Sequence, residues 1–235
     1  MGAVFKREMK AYFTSPIAYI YIAVFYLYTG LTFVGANIYG ATADMTAVFS
    51  GVFTIMMIML PLLTMRLMSE EKRQKTDQCL LTAPISLGGI VMGKFLSALC
   101  IFAIGMLIYI PFMLVLNKLA GGIAWATAAG NMLALLLLGA SFISIGIFMS
   151  SLTENQIVSA IASFIVILIF YMIDVFASTI SVEWISKVMV SLGFYSRYYE
   201  FTNGIINIPS IIFFLSAIFI FNFLTVRVLE KRRWE

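Results

Sequence analysis

Seven residues near the middle of the chain match most of a nucleotide-binding motif. Gly88 to Lys94 read Gly-Gly-Ile-Val-Met-Gly-Lys, which fits the first seven positions of the phosphate-loop pattern G-x-x-x-x-G-K. The eighth position is Phe95, whereas the motif requires a serine or threonine that binds magnesium. No strand pattern precedes the glycines, and a long apolar run follows them. We therefore predict a flexible turn with an interfacial Lys94, and no nucleotide site in this chain.

Other residues that could do chemistry are few and scattered. The chain has no histidine, and Cys79 and Cys100 stand far apart, so neither a zinc site nor a disulfide is expected. Methionines cluster between Met56 and Met68; thioethers suit Cu(I), but packing is the favoured interpretation because no Cys or His accompanies them. Asp174 is the one carboxylate inside an apolar run. It could be a proton or cation site, although its place near the end of the run favours an interfacial or loop-pairing role. We predict no catalytic residue and no metal site.

The composition indicates a membrane protein. Of the 235 residues, 62% are hydrophobic and 11% are charged, and the mean hydropathy is +1.03. A soluble chain of this kind would expose a very large apolar surface. Because about 20 apolar residues cross the hydrocarbon layer as a helix, we predict an all-α integral membrane protein with a single transmembrane domain, residues 1–235. Its six predicted spans are Ile17–Ala36, Val48–Met68, Phe95–Leu116, Thr127–Ser150, Ile157–Ala177 and Pro209–Val228.

The first residues predict a helix on the membrane surface. Within residues 2–14, apolar and charged side chains fall largely on different helical faces, which is typical of interfacial helices. The uncharged stretch at 11–43 is far longer than the core of a signal peptide, which spans about 7–15 residues. We therefore expect the first span to be retained, with the surface helix ending before Pro16.

The distribution of basic residues predicts the orientation of the spans. With six spans and the N-terminus inside, twelve of the fifteen Lys and Arg residues fall on the inner side, and only Lys118, Lys187 and Arg197 fall outside. Cytoplasmic flanks retain basic residues, so both termini are predicted to be cytoplasmic. The net charge of +4 is then explained by topology and by contact with anionic lipids, and no nucleic-acid partner is needed.

Two kinds of small or rigid residue indicate how the spans pack. Pro61 and Pro111 predict kinks in the second and third spans. In the fourth span, Gly139, Gly146 and Ser150 form a small face that would allow close helix contact.

A charged segment at residues 66–86 separates the second and third apolar runs. It would begin where the second span leaves the membrane at Arg66, and Pro84 would end any helix within it. A short helix across the inner membrane face could couple two bodies. The simpler alternative is a solvated loop whose charges only fix the topology.

This segment resembles the inner loop of ABC-2-type exporter permeases. The resemblance lies in Ser69-Glu70-Glu71-Lys72-Arg73, Thr76, Leu80-Leu81-Thr82-x-Pro84-Ile85-Ser86 and Gly93-Lys94. Similar features occur in the same order at Phe5–Phe13 with Ser15-Pro16, at the inner turn Ser150–Gln156 and at the basic end Arg227–Trp234. The resemblance covers essentially the whole chain and is closest to the branch that includes gliding-motility-associated permeases. One departure is Lys75, which stands before the threonine where many members have glycine.

The resemblance implies a non-enzymatic permease subunit in a prokaryotic cytoplasmic membrane. It binds no cofactor itself; ATP and magnesium belong to a separate ABC ATPase, present in two copies. A second permease, identical or paralogous, completes the pathway. The family also implies a connecting helix at 2–14, a coupling helix at 69–84 that docks on the ATPase, and short extracellular helices within 178–207. The implied coupling residues are Glu70, Glu71, Arg73, Thr76, Leu80, Leu81 and Pro84, and those of the connecting helix are Phe5, Lys6, Arg7 and Glu8.

Candidates for the transport path are weaker. The first two spans and the fifth are expected to form the central surface, with Asn37, Ser50, Thr54 and Met57 as path residues. A path with almost no charge favours a hydrophobic, amphipathic or lipid-linked cargo.

On the outer side, Val182, Ile185, Val188, Met189 and Leu192 repeat at helical spacing. With Tyr198 and Tyr199 they resemble the family's helices that cap the exit path. A plain interfacial loop, with its aromatic residues at headgroup level, is the alternative.

Two other functions compete with ATP-driven export. A membrane anchor or assembly protein could use the charged segment to recruit a partner without transport. A secondary transporter is third, because such proteins ordinarily need more intramembrane carboxylates than this chain has.

Overall fold

A computed structural model describes residues 1–76, 85–119, 125–177, 184, 191–205 and 207–234. Throughout these residues the regular structure is helical, as the composition predicts. The helices are α1 (Gly2–Thr14), α2 (Pro16–Phe33, continued by a π-helical turn at Val34–Tyr39), α3 (Thr46–Thr64), α4 (Arg66–Arg73), α5 (Leu87–Met106), α6 (Tyr109–Leu119), α7 (Trp125–Leu152), α8 (Gln156–Ala177), α9 (Phe194–Thr202) and α10 (Ile208–Trp234).

Six helical segments are long and apolar enough to cross a membrane, which confirms the predicted number of spans. They are Pro16–Tyr39, Thr46–Arg73, Leu87–Leu119, Trp125–Leu152, Gln156–Ala177 and Ile208–Arg233. Five of them begin within two residues of the predicted positions. The third begins at Leu87 rather than Phe95, so the predicted flexible turn at residues 88–94 is wrong.

The start of this third span shows why the turn was mispredicted. The Ser86 hydroxyl accepts a hydrogen bond from the Gly89 N–H at 3.2 Å and caps the helix, which then continues through the glycines. Gly93 lies against α1, where an added Cβ would stand 3.0 Å from the Cβ of Val4. The glycines therefore serve close packing of α1 on α5, and no phosphate-binding loop forms.

The helix α7 lies at the centre of the bundle. It packs against α3, α4, α5, α8, α9 and α10. Of an 18-residue apolar stretch within it, 67% is buried, against 22% for such a stretch of the fifth or sixth span. The predicted small face is confirmed as a packing surface. A Cβ on Gly139 would collide with the Phe102 ring, and one on Gly146 would collide with the Thr64 side chain.

The two prolines have different effects. The third span is interrupted at residues 107–108, between α5 and α6, because Pro111 cannot donate a hydrogen bond to the Leu107 carbonyl four residues earlier. By contrast, α3 continues through Pro61 to Thr64, and the interruption in the second span lies at Met65.

Candidate functional site

The helix α1 is fixed to the junction between α3 and α4. Tyr12 is fully buried, and its hydroxyl donates to the Leu63 carbonyl at 2.9 Å. The Arg66 guanidinium lies 4.9 Å from the centre of the Tyr12 ring and donates to the Ser15 hydroxyl at 2.9 Å. These contacts hold the N-terminal helix against the second span at the point where that span reaches the charged segment.

A buried lysine joins three helices at the same end of the bundle. Lys94, on α5, has a side chain that is only 1% exposed. Its ammonium lies 2.8 Å from the Glu71 carboxylate on α4 and 3.1 Å from the Glu8 carboxylate on α1. It also donates to the Leu67 carbonyl. A buried ammonium needs such partners, because an unpaired charge is very costly away from water.

Arg7 completes this inner cluster, which we define as Arg7, Glu8, Glu71 and Lys94. Its guanidinium pairs with the Glu8 carboxylate at 2.6 Å and also with that of Glu71. The Arg7 side chain is 47% exposed and shields the two carboxylates from the solvent side. Two cations and two carboxylates give the cluster no net charge, which lowers the cost of burying it.

The pKa of Glu8 reports the balance of forces in the inner cluster. Burial alone would raise the pKa of this carboxyl, but the Lys94 ammonium and the Arg7 guanidinium outweigh burial and lower the pKa below its usual value of 4.5. Glu8 is therefore ionised at neutral pH. It contributes stability that is present above its usual pKa and is lost as the pH falls through the lowered value.

The predicted coupling residues do not share one environment. Glu71 points into the inner cluster, whereas Arg73 and Thr76 are exposed. Glu70 is partly exposed and accepts a hydrogen bond from the Gln74 amide at 3.3 Å. On α1, Glu8 is buried, Phe5 is partly buried, and Lys6 and Arg7 are exposed. Leu80, Leu81 and Pro84 lie outside the described residues.

The helix that carries the coupling residues ends earlier than the sequence predicts. The prediction of a single helix over residues 69–84 is wrong, because α4 ends at Arg73 in a Schellman turn. The Thr76 N–H donates to the Glu71 carbonyl at 3.0 Å, and the Lys75 N–H donates to the Lys72 carbonyl at 3.2 Å. Lys75 has φ +57°, the left-handed conformation for which glycine is preferred. This position is the one at which the sequence departs from the family pattern.

Replacing Lys75 with glycine is expected to stabilise the turn after α4 by about 0.5–1 kcal/mol, because glycine adopts a positive φ without the steric cost of a Cβ. The measurement is the thermal unfolding midpoint of the purified protein in detergent. Lys75→Val is the matched comparison and should lower the midpoint. A midpoint that falls with glycine would contradict the turn geometry.

A serine on the central helix interrupts the second span. The Ser150 hydroxyl accepts hydrogen bonds from the Met68 N–H at 3.1 Å and the Ser69 N–H at 3.0 Å, and it donates to the Met65 carbonyl at 2.8 Å. It thus inserts between the Met65 carbonyl and the Ser69 N–H, which would otherwise bond directly within one helix. The break between α3 and α4 is therefore set by α7.

The inner turn between α7 and α8 also contacts its neighbours. Lys72 on α4 lies 3.5 Å from the Glu154 carboxylate in this turn. At the end of α10, Arg232 donates to the Ser151 carbonyl at 2.5 Å. The charged end of the bundle is therefore connected from α1 through to α10.

Comparison with known families identifies the chain. The model of the ABC-2 family transporter protein matches residues 3–225, nearly the whole length. The chain belongs to the ABC-2 transporter family. Members of this family are permeases, the transmembrane and generally non-catalytic subunits of ABC transporters, which work with an ABC ATPase. No curated protein matches the chain significantly.

In this ABC-2 permease the four predicted path residues are dispersed. Asn37 is buried in the π-helical turn, where its side-chain amide holds the following loop. Ser50 bonds to the Ala47 carbonyl of its own helix at 3.1 Å. Thr54 is exposed on α3, and Met57 is 5% exposed. Thr54 and the partly exposed Ser50 are the most exposed of the four, and a path role stays a prediction for all of them.

At the other end of the permease, Asp174 caps α9. Its carboxylate accepts hydrogen bonds from the Tyr195 N–H at 2.8 Å and the Ser196 hydroxyl at 2.7 Å. The residue before the helix is Gly193, which has no side chain for this role, and a Cβ there would collide with the Asp174 carboxylate. This geometry supports the predicted loop-pairing role of Asp174 over a proton or cation site.

Replacing Asp174 with alanine is expected to cost about 1–2 kcal/mol, because α9 loses its N-terminal cap. Asp174→Asn retains an acceptor oxygen and should cost less than half as much. The measurement is the unfolding midpoint of both variants together with transport activity. If the asparagine variant is as stable as the wild type but inactive, the carboxylate has a chemical role that capping does not explain.

The two tyrosines predicted at the outer gate lie in different surroundings. Tyr198 is fully buried, and its hydroxyl donates to the Phe49 carbonyl on α3 at 2.7 Å. Tyr199 is 45% exposed and stacks on Tyr195. Tyr198 therefore anchors α9 to the second span, and a gating role remains a prediction for both tyrosines. Of the predicted amphipathic repeat, Leu192 is 47% exposed, and the other four positions, Val182, Ile185, Val188 and Met189, lie outside the described residues.

Sequence reasoning missed the residues that connect the helices. The sequence predicts an interfacial Lys94, and it places Ser150 on a packing face and at the start of the inner turn. It indicates neither the ion pairs of Lys94 nor the backbone hydrogen bonds of Ser150. One signal could have found Lys94: a single basic residue within an otherwise apolar helix is usually paired and functional. Ser150 offered no comparable signal, because serines are common in apolar spans.

Proposed function

We propose that this chain is the permease subunit of an ATP-driven exporter and transmits the movements of a separate ABC ATPase to its own spans. The observation that carries the proposal is the inner cluster. Through Lys94 and Glu71 it joins α1, α4 and the third span, so a force applied to α1 or α4 reaches the bundle through ion pairs. The cluster supports a connecting role for α1 and a coupling role for the segment that begins with α4.

The exposed residues beside the cluster are the proposed ATPase contacts. Because Glu8 and Glu71 are engaged internally, the side chains left for a partner include Glu70, Arg73 and Lys6. The basic residues at this end support a cytoplasmic location for both termini. A prokaryotic plasma membrane is proposed from the family resemblance alone. Two ATPase subunits are expected per transporter, each with its own ATP and magnesium.

A second permease, identical or paralogous, is proposed to pack on the second and fifth spans. Apolar side chains on both spans are exposed in the single chain, including Ile58 at 45%, Leu62 at 41% and Ile161 at 54%. A shallow cavity of about 160 Å³, lined by apolar residues of these two spans, lies between them. A surface of this kind can be covered by a partner chain or by lipid.

The cargo is proposed to be hydrophobic, amphipathic or lipid-linked, and transport is proposed to be outward. The second and sixth spans carry their charged residues at one end, from Arg66 and from Arg227 onward. In the described parts of the other spans, Lys94 and Asp174 are paired inside the protein, and Lys118 lies at the end of the third span. Membership of the branch of gliding-motility-associated permeases is also a proposal and rests on the residues of the charged segment.

The test is co-expression with the ABC ATPase encoded nearest to the permease. Reversing the exposed charges with Glu70→Lys and Arg73→Glu should reduce co-purification of the ATPase at least about tenfold, because complementary charges at an interface become repulsive. Lys118→Glu, an exposed change at the opposite end, is the matched control and should have no effect.

Three results would count against the proposal. Unchanged co-purification and ATP turnover in the doubly reversed variant would remove the coupling role from this surface. A stable complex without any ATPase would favour the membrane anchor. Cargo movement driven by an ion gradient, without ATP, would favour a secondary transporter.

A further inference from the structure

A groove separates the start of the third span from the end of the sixth. It has a volume of about 190 Å³ and lies at the end of the bundle that holds the inner cluster. None of the described residues of its wall is charged. The polar one, Asn222, is 7% exposed and donates to the Ile218 carbonyl of its own helix at 2.8 Å. The wall is formed by Gly88, Val91 and Met92 of α5 and by Phe219, Asn222, Phe223 and Val226 of α10.

The groove opens away from the bundle. Val91 is fully buried, whereas Met92, Phe219 and Phe223 are 37%, 71% and 45% exposed. Both helices belong to membrane spans, so the groove opens onto the acyl chains of the bilayer. The wall from Phe219 to Val226 covers about 10 Å of helix, and half of the hydrocarbon layer is about 15 Å thick. An acyl chain of one leaflet is therefore long enough to fill the groove.

An arginine lies at the inner end of this apolar wall. The Arg227 guanidinium is 4.8 Å from the centre of the Phe223 ring, which itself forms part of the wall. The Arg227 side chain is 61% exposed, and one of its terminal nitrogens donates to the Glu230 carboxylate at 2.6 Å. A guanidinium has five N–H donors, so most of them remain for an acceptor outside the described residues.

The last turns of α10 add positive charge on the same side of the helix. Arg233 is exposed and follows Val226 by seven residues, which is nearly two full helical turns, so it lies on the face that lines the groove. Together, Arg227 and Arg233 outweigh Glu230, the one carboxylate among the described residues of this part of α10. An apolar groove that ends beside net positive charge is complementary to a molecule with an apolar chain and an anionic head.

We propose that this groove binds an anionic phospholipid from the adjoining leaflet of the bilayer. One acyl chain packs against Met92, Phe219 and Phe223, and the phosphate accepts hydrogen bonds from Arg227. A zwitterionic phospholipid fits the apolar wall equally well, but its head group adds a positive charge beside the arginines, so the anionic lipid binds more tightly. The proposal does not depend on the identity of the exported cargo or on the partner ATPase.

The test uses the full chain in phosphatidylcholine nanodiscs that contain a trace of one photoreactive lipid. One probe is a phosphatidylglycerol with a diazirine in an acyl chain, and the other is a phosphatidylcholine with the same chain. Mass spectrometry locates the labelled residues. The phosphatidylglycerol should label the groove wall about fivefold more than the phosphatidylcholine, the factor expected for one net basic residue beside an anionic head group. Both probes should label Leu27, an exposed residue of the first span, equally.

A charge substitution forms the second arm of the test. Arg227→Gln removes the phosphate donor and leaves Glu230 without its ion pair, so labelling of the groove by phosphatidylglycerol should fall to the level of phosphatidylcholine. Lys10→Gln removes an exposed lysine from α1 at the same end of the protein and should leave the preference unchanged.

A filled groove provides the third arm. A Cβ added at Gly88 would meet no atom within 4 Å, so Gly88→Leu can place its side chain in the groove without a collision. This variant should lower labelling of the groove by both probes several-fold. Gly30→Leu is the matched control, because Gly30 also has open space around it but lies on the first span.

The comparison of the two lipids on the unaltered protein needs no substitution, and equal labelling of the groove there would overturn the proposal. A preference that persists in Arg227→Gln, or labelling that Gly88→Leu does not reduce, would overturn it in favour of a general attraction of anionic lipid to the basic end of the protein.

Discussion

Replacing Lys94 with methionine is expected to destabilise the protein by about 3–5 kcal/mol, the usual cost of removing one partner from a buried ion pair. Methionine fits a similar volume but leaves the carboxylates of Glu8 and Glu71 with only Arg7 as a cation. The measurement is the thermal unfolding midpoint of the purified permease in detergent. Proteolysis of α1 should also become faster, since α1 loses its ion pair to the third span.

The stability lost in the Lys94→Met variant should be largest at neutral pH and smaller in acid. In the wild type, Glu8 contributes stability above its usual pKa of 4.5 and loses it as the pH falls through the lowered value. In the Lys94→Met variant, burial without the ammonium raises the pKa of Glu8, so the penalty is largest at neutral pH and shrinks once the carboxyl is protonated. The difference between the two proteins should therefore narrow below about pH 5.

Two further variants test whether the Lys94→Met variant is destabilised by the loss of the Lys94 charge. Lys10→Met removes an exposed lysine from the same end of the protein and should change the midpoint little. Adding Glu71→Gln to Lys94→Met should recover part of the stability, because Glu8 and Arg7 then form a balanced pair. A double variant that is less stable than Lys94→Met alone would contradict this account of the inner cluster.

Replacing Ser150 with alanine is expected to cost about 1–3 kcal/mol, because a buried hydroxyl that bonds to three backbone groups is lost. The Ser69 N–H and the Met65 carbonyl can recover some of this free energy by bonding directly, which would straighten the junction between α3 and α4. The measurement is the unfolding midpoint, combined with the distance between spin labels placed on either side of the junction.

The neighbouring serine is a close control. Ser151 is as fully buried as Ser150, but among the described residues its hydroxyl bonds only to the Phe148 carbonyl of its own helix, at 2.7 Å. Ser151→Ala should therefore cost about 0.5 kcal/mol or less. Equal losses for the two variants would mean that the inserted hydroxyl has no special part in the break.

The spans could be predicted from the sequence because their signal is local. An apolar run of sufficient length has to be helical in lipid, whatever its neighbours are, and this holds for all six. The start of the third span was missed because its glycines have two local interpretations. The two interpretations are a flexible turn and close helix packing. Packing is favoured only because α1 lies against the start of α5, with Val4 next to Gly93, and a local pattern does not show this contact.

The sequence predicted which residues belong to the candidate site, but not which of their side chains face the protein interior. The sequence indicated that Glu70 and Glu71 belong to the coupling segment. Adjacent helical residues point about 100° apart, so the two side chains do not share one direction. Glu71 is the one that faces inward, because it pairs with Lys94, and Lys94 lies on a different span. Arg7 and Glu8 were expected on a connecting helix that braces the coupling segment, but the sequence did not indicate that both belong to one ion-pair network with Glu71 and Lys94.

The neutrality of the inner cluster has a consequence for the energetics of transport. Two positive and two negative side chains move together if α1, α4 and α5 shift as a unit. The charges of the four cluster residues then cancel, so the membrane potential does no net work on the cluster itself, although a single elementary charge would gain about 2.3 kcal/mol per 100 mV. A measured voltage dependence of turnover would therefore have to arise from other charges, such as Lys6, Lys10 and Lys72 on the same helices.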